Sequence, residues 1–220
     1  MKKFLQCAAL AAFTFPTFAA DPAPAPAATT SPGEGWISLY DGKSLDGWKA
    51  SDEPGTFSVQ NGDIIVYGKR SHLFYVGDVH GHDWTNFEVK ADVMTRKGAN
   101  SGFYFHTAFQ EAGWPDKGFE VQVNNTHKDP KRTAGLYDVM DNYAAPVPDD
   151  EWFTLYIKVE GKHVITKVND RVIVDYTEPE GYQPKPNHPG RKIDHGTFAL
   201  QGHDPGSETH FKNIFVKPLP

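Results

Sequence analysis

The sequence predicts an all-β fold, a two-sheet antiparallel β-sandwich or jelly roll. Three observations lead there. Apolar residues recur with a period of two in ten short segments rich in Val, Ile, Phe, Tyr and Thr, at 56–59, 63–67, 87–94, 102–108, 118–123, 153–160, 163–168, 171–176, 196–201 and 210–217. Turn signals separate them, among them Asn61-Gly62, Glu160-Gly161-Lys162 and Asn169-Asp170; the last two join three strands into a meander. No segment carries the 3.6-residue period of a long amphipathic helix. Short strands with close turns each have one face to bury, and two stacked antiparallel sheets bury it.

The 220 residues suit one domain plus an export segment, and a hydrophobic share of 39% with 13% aromatics is enough for a substantial core. Residues 1–20 read as a signal peptide. Lys2 and Lys3 precede an apolar run at 4–15 that is too short to span a membrane, and Thr17 and Ala19 place small residues for cleavage after Ala19 or Ala20. The expected location is therefore periplasmic or extracellular. Cys7 is the only cysteine, so the mature chain would have no disulfide and must rely on its core. A lipid anchor at Cys7 is disfavoured, because Gln6 stands where a small residue is wanted. Residues 21–35 are rich in Pro, Ala, Thr and Ser and read as an extended linker. The domain follows over 36–220, with no membrane span. A net charge of -6 argues against nucleic acid, whose phosphates require clustered Lys and Arg.

Alternation along the strands sorts the side chains by face. In 119–124, Phe119, Val121 and Val123 form a core face, and Glu120, Gln122 and Asn124 point the other way. In 100–106, Phe103 and Phe105 oppose Asn100, Tyr104 and His106. In 198–203, Phe198 and Leu200 oppose Gln201, with His203 at the strand end. Solvated faces usually carry Lys, Glu and Thr. Faces of Asn, Gln, His, Tyr and a single Glu suit hydrogen bonding to sugar hydroxyls, so a small carbohydrate is the expected partner.

The ordered motifs resemble those of the 3-keto-disaccharide hydrolase domain family. Ser38-Leu39-Tyr40-Asp41-Gly42-Lys43-Ser44-Leu45-Asp46-Gly47-Trp48 resembles its opening signature. Asn86-Phe87-Glu88-Val89, Asn100-Ser101-Gly102-Phe103-Tyr104-Phe105, Phe119-Glu120-Val121-Gln122-Val123, Arg132-Thr133-Ala134-Gly135-Leu136-Tyr137, Leu200-Gln201-Gly202-His203 and Phe211-Lys212-Asn213-Ile214 follow in order. The resemblance spans nearly all of 36–219. It implies a concanavalin-like jelly roll and action on sugars oxidised at C3 in a periplasmic or outer-envelope setting. One departure stands out: many relatives carry an Asp shortly after the Glu-x-Gln strand, where this chain has Asn124-Asn125.

Ordinary glycoside hydrolysis uses two carboxylates across the scissile bond. Here the strand that would carry them has one acid, Glu120; Asp138 and Asp141 follow on a loop. A 3-keto sugar changes the requirement, because the ketone acidifies the C2 proton. One base, a group that polarises the ketone oxygen and an acid for the leaving group then suffice. Glu120 and His203 are the catalytic candidates. Asn100, Gln122 and Gln201 are candidates for holding hydroxyls, with Tyr104, His106, Arg132 and Tyr137 lining a pocket. Trp114, between Gly113 and Pro115, is the candidate platform for stacking on a sugar ring. A divalent metal shared by Glu120, His203 and Asp138 is a further candidate cofactor, although the ten histidines form no recognised zinc spacing. The competing class is a non-catalytic, lectin-like envelope module, since fold does not dictate function.

Overall fold

The computed structural model describes residues 33–220; the expected signal peptide, Cys7 and most of the expected linker lie outside the described residues. Among the described residues, fifteen strands form two antiparallel sheets. In chain order they are β1 (Ile37–Ser38), β2 (Trp48–Ala50), β3 (Phe57–Gln60), β4 (Asp63–Tyr67), β5 (Ser71–Tyr75), β6 (Phe87–Thr95), β7 (Ser101–Thr107), β8 (Phe119–Val123), β9 (Arg132–Leu136), β10 (Met140–Asn142), β11 (Phe153–Glu160), β12 (His163–Val168), β13 (Arg171–Thr177), β14 (Thr197–Gly202) and β15 (Glu208–Pro218). The first sheet runs β13-β12-β11-β6-β15-β4-β3, with β1 beside β15; the second runs β10-β9-β8-β7-β14-β5-β2. Among the described residues no helix is long and apolar enough to cross a membrane.

All ten segments with a period of two fall on observed strands. The sandwich closes over the side chains that alternation assigns inward, including Phe87, Phe103, Phe119, Phe198 and Phe211, each at most 1% exposed. Burying each such ring contributes about 1.5–3 kcal/mol. Five strands are not apparent from alternation, β5 and β9 among them. β5 is buried along its whole length, so Ser71 to Tyr75 shows no polar face. β9, expected as a loop, is interrupted by Gly135, whose missing Cβ leaves room for the Asn142 backbone, 2.6 Å from where that atom would lie.

β7 is central to the second sheet, and β8 beside it pairs Glu120 with Tyr104 and Gln122 with Gly102. On the other flank of β7, β14 pairs Leu200 with Phe103 and Ala199 with Tyr104, and β5 then pairs His72 with Gln201. Strands β8, β7 and β14 bring Glu120, Gln122, Tyr104 and Gln201 together on the face opposite the core.

Between Ala199 and Thr197 the β14–β7 register shifts, because β7 carries one residue more than its partner. His106 sits in this bulge at φ 55°. The irregularity cancels the alternation that would place His106 with Tyr104. Its Nε2 lies 2.9 Å from the Thr85 carbonyl, and its ring packs edge-on against Phe87 and Phe105. His106 is therefore an interior residue, correcting its expected place among the pocket-lining side chains.

Candidate active site

A cavity of about 290 Å³ opens on the outer face of the second sheet. Its lining includes Asn100, Tyr104, Trp114, Glu120, Gln122, Tyr137, Gln201 and His203, eight of the ten residues that the sequence nominates. His106 lies inside the sandwich. Arg132 is also elsewhere: its Nη1 donates to the carbonyls of His127 and Asp129, stapling the loop that leads into β9.

Glu120 is 6% exposed on the cavity floor. Tyr104 donates its hydroxyl to Oε2 at 2.9 Å, and Gln201 donates Nε2 to Oε1 at 2.9 Å. Gln201 Nε2 also reaches the Tyr104 hydroxyl at 3.1 Å, closing a three-membered ring of contacts. Burial pushes the Glu120 carboxyl up from the ordinary carboxylate range. The Tyr104 bond, the Arg191 charge and the Gln201 bond oppose that shift without cancelling it. The same burial, with the Glu120 charge beside it, pushes the Tyr104 phenol well above its ordinary value, so it donates a hydrogen bond and keeps its proton.

A second chain of amides has its polarity dictated by the backbone. The Asp129 N–H donates to His127 Nδ1, so this nitrogen is an acceptor. Asn100 Nδ2 then donates to it at 3.3 Å, and Asn100 Oδ1 accepts from Gln122 Nε2 at 2.9 Å. Both ends of the Asn100 amide are thus engaged. Gln122 and Gln201 each keep a carbonyl oxygen sealed from solvent without a partner.

Asn124, which faces the same way as Glu120 in the alternation, organises the neighbouring loop. Its Nδ2 donates to the carbonyls of Asp129 and Lys131, and its Oδ1 accepts from the His127 N–H. An aspartate could not donate those two bonds, which is the physical reason an amide suits this loop.

At the mouth, His203 Nδ1 lies 2.7 Å from Asp204 Oδ2, and that carboxylate also accepts from the Ser207 hydroxyl. Burial would raise the Asp204 carboxyl, but the bonds from His203, Ser207 and Gly206 outweigh it and hold the group below its ordinary range. A carboxylate on Nδ1 orients the ring and leaves Nε2 as its second exchanging nitrogen. Trp114 is 44% exposed, with its ring centroid 5.5 Å from that of His203 and 5.6 Å from that of His72. Its loop is tied internally, since Gln110 donates to the Ala112 and Trp114 carbonyls and accepts from the Asp116 N–H. The indole is therefore a preformed platform.

The sequence reading missed Arg191, Asp129 and His188, which also line the cavity. Arg191 and His188 lie in the segment between β13 and β14, which has no period for alternation to read. Asp204 was overlooked beside a nominated histidine; its adjacency to His203 was the available signal. Asp138 and Asp141 are neutralised by Lys131, at 2.7 and 3.4 Å, and Asp138 also by Lys185.

Among the described residues no three His, Cys, Asp or Glu side chains are grouped to hold a metal ion. Both Glu120 oxygens face amide and phenol donors, and Asp138 faces lysines. The candidate metal set of Glu120, His203 and Asp138 does not fit as a coordination sphere.

The sequence model of the 3-keto-alpha-glucoside-1,2-lyase-like domain matches residues 35–217. The chain belongs to this family. Its domain is carbohydrate-related, in keeping with the hydroxyl-binding character of the cavity. No curated protein matches the chain. Among solved structures, the fold resembles a presumed glycosyl hydrolase from Parabacteroides distasonis ATCC 8503, with TM-score 0.71 and 24% identity over 85% of this chain and 95% of that one. A second structure from the same organism, described in the same terms, gives 0.65 at 22% identity, covering 84% and 99%. The carbohydrate binding module CBM66 from Bacillus subtilis gives 0.50 at 16% identity, covering 86% and 98%. At these identities the likeness is one of fold, a concanavalin-like sandwich.

Proposed function

We propose that this member of the 3-keto-alpha-glucoside-1,2-lyase-like family cleaves 3-keto-glycosides, including 3-keto-disaccharides, by base-assisted elimination at C1 followed by hydration. The observation that carries this reading is the floor of the cavity: a buried carboxylate, raised in pKa and held between a phenol and an amide, is suited to taking a proton from carbon. Glu120 removes the C2 proton, and the C–H electron pair forms the C2–C3 double bond of an enolate as the carbonyl pair moves onto oxygen. The enolate then collapses: its oxygen pair restores C3=O, the C2–C3 pair shifts to make C1=C2, and the C1–O bond breaks toward the leaving oxygen. His203, oriented by Asp204, protonates that oxygen. Water adding across C1=C2 completes the net hydrolysis and yields the 3-keto sugar.

The surrounding groups support a sugar. The amide residues Gln122 and Gln201 line the cavity beside Glu120, and the exposed Trp114 offers a ring for stacking. A cavity of about 290 Å³ is at the small end for ligand sites and suits a short glycoside. An exported setting fits the signal-peptide reading of residues 1–20; N-terminal sequencing from an envelope fraction should start near Ala20 or Asp21, and an intact Met1 in cytosol would contradict it.

The second reading, a non-catalytic carbohydrate-binding module, is favoured by the exposed Trp114 platform. Turnover decides between them. Release of the C1 group from a 3-keto-glycoside supports the enzyme, and saturable binding without release supports the module.

A further inference from the structure

The geometry points to Arg191 as the electrophile of the reaction, the group that takes the C3 ketone oxygen and holds it as charge develops; this inference rests on the elimination reading of the site. Arg191 lines the same cavity as Glu120 and is 6% exposed. Burying a guanidinium is costly unless its charge and its N–H groups are paired. Here the pairing is incomplete. Nη1 donates to the Tyr137 carbonyl at 3.0 Å, Nε is sealed without a partner, and among the described residues no carboxylate is in ion-pair contact with the group. Its Cζ lies over the Tyr137 ring, 5.6 Å from the centroid, a contact that holds the guanidinium without neutralising it.

Arg191 and Glu120 are the two buried charges of the cavity, and they do not touch. Each of the two Glu120 oxygens is instead engaged by a neutral donor. A structural pair would close into a bidentate contact. A cation and a carboxylate facing one small cavity without contact leave room for a group that is itself polarised between them. An α-hydroxy ketone is such a group: its C2–H meets the base while its C3 oxygen meets the cation. The other donors are less suited to this role. The Asn100 amide is committed at both ends, and the Tyr104 proton is committed to Glu120. When Glu120 takes the C2 proton, the pair released onto the ketone oxygen makes an enolate anion, and a preorganised guanidinium stabilises that charge more than it stabilises the neutral ketone.

The test uses 3-keto-1,5-anhydroglucitol, which has no exocyclic leaving group at C1 and so reports proton removal without loss of an aglycone. Exchange of its C2 hydrogen in deuterated water is followed by NMR with the full-length wild type and with Arg191→Gln. The expected result is a loss of exchange of about 100-fold or more in the variant, partly restored by added guanidinium ion. Wild-type exchange by a folded Arg191→Gln protein would overturn the role of Arg191 and leave the elimination reading standing. Absence of both exchange and cleavage in the wild type would instead sink the elimination reading itself. Should Arg191→Gln fail to fold, the C=O stretch of the same probe bound to Glu120→Gln protein decides. A band lowered from its position in water supports a polarised ketone, and an unshifted band overturns the assignment.

Discussion

Gly102 and Glu120 are so close across β7 and β8 that a Cβ on Gly102 would lie 2.7 Å from Glu120 Oε1. Gly102 is not a left-handed position; it is small because the carboxylate occupies the volume beside it. The glycine of the Asn-Ser-Gly motif and the glutamate of the Glu-x-Gln motif are thus one structural unit.

Gly102→Ala should therefore displace Glu120 from its Tyr104 and Gln201 donors. Turnover is expected to fall about 100-fold, since a displacement near 1 Å is enough to misalign a base. The sheet should remain folded, because the added methyl faces the cavity and not the core. Circular dichroism with steady-state rates checks this, and wild-type rates would show that Glu120 need not sit where it does.

Glu120→Gln should lower turnover by about 10²–10⁴-fold, the usual contribution of a general base. It should also change stability in a direction set by the raised carboxyl. A group whose folded pKa lies above its unfolded value stabilises the protein below the unfolded carboxylate range and loses that contribution as pH rises through the folded pKa. The variant should thus gain on the wild type as pH rises above the ordinary glutamate range. Thermal melts across that range test the sign, and a constant difference would mean that burial does not penalise the charge.

Two buried histidines make the opposite prediction in acid. His72 has both ring nitrogens sealed without partners, and burial lowers it to about 3; burial lowers His106 to about 4. Both must stay neutral in the folded state, whereas in the unfolded chain they protonate below about pH 6.5. Stability should fall as pH drops from there toward 4, by up to about 1.4 kcal/mol per pH unit for each group. His72→Phe should flatten that slope in denaturant titrations; an unchanged slope would place the acid sensitivity elsewhere.

Trp114→Ala should raise KM by about tenfold, the order expected from removing an aromatic contact, with kcat changed less. Equal loss in kcat and kcat/KM would place the indole in the transition state and not at the mouth.

The site residues on regular strands were legible because alternation is a geometric rule. Glu120, Gln122, Tyr104 and Gln201 each stand opposite a core Phe, Val or Leu, and the pleat does the rest. His106 failed that rule because one extra residue in β7 breaks the period, and nothing local in Phe105-His106-Thr107 marks the bulge. Arg132 was nominated from a motif whose arginine serves the backbone of its own loop. Arg191 was invisible because it arrives from an irregular segment, placed by its bond to the Tyr137 carbonyl across more than fifty residues of chain. Asn124 shows the reverse case: its departure from the family pattern was legible, but its role in the loop needed coordinates.

Elimination beside a C3 ketone is tested by offering matched glycosides, one unmodified and one with the ketone, and following release of the C1 group in deuterated water. A single well-placed base can act next to a carbonyl but cannot alone stabilise an oxocarbenium ion and activate water. Elimination predicts release from the 3-keto form alone, with deuterium entering at C2. Equal release from both members of the pair would contradict it and identify a two-carboxylate hydrolase, with Asp129, the other acid lining the cavity, as the partner of Glu120.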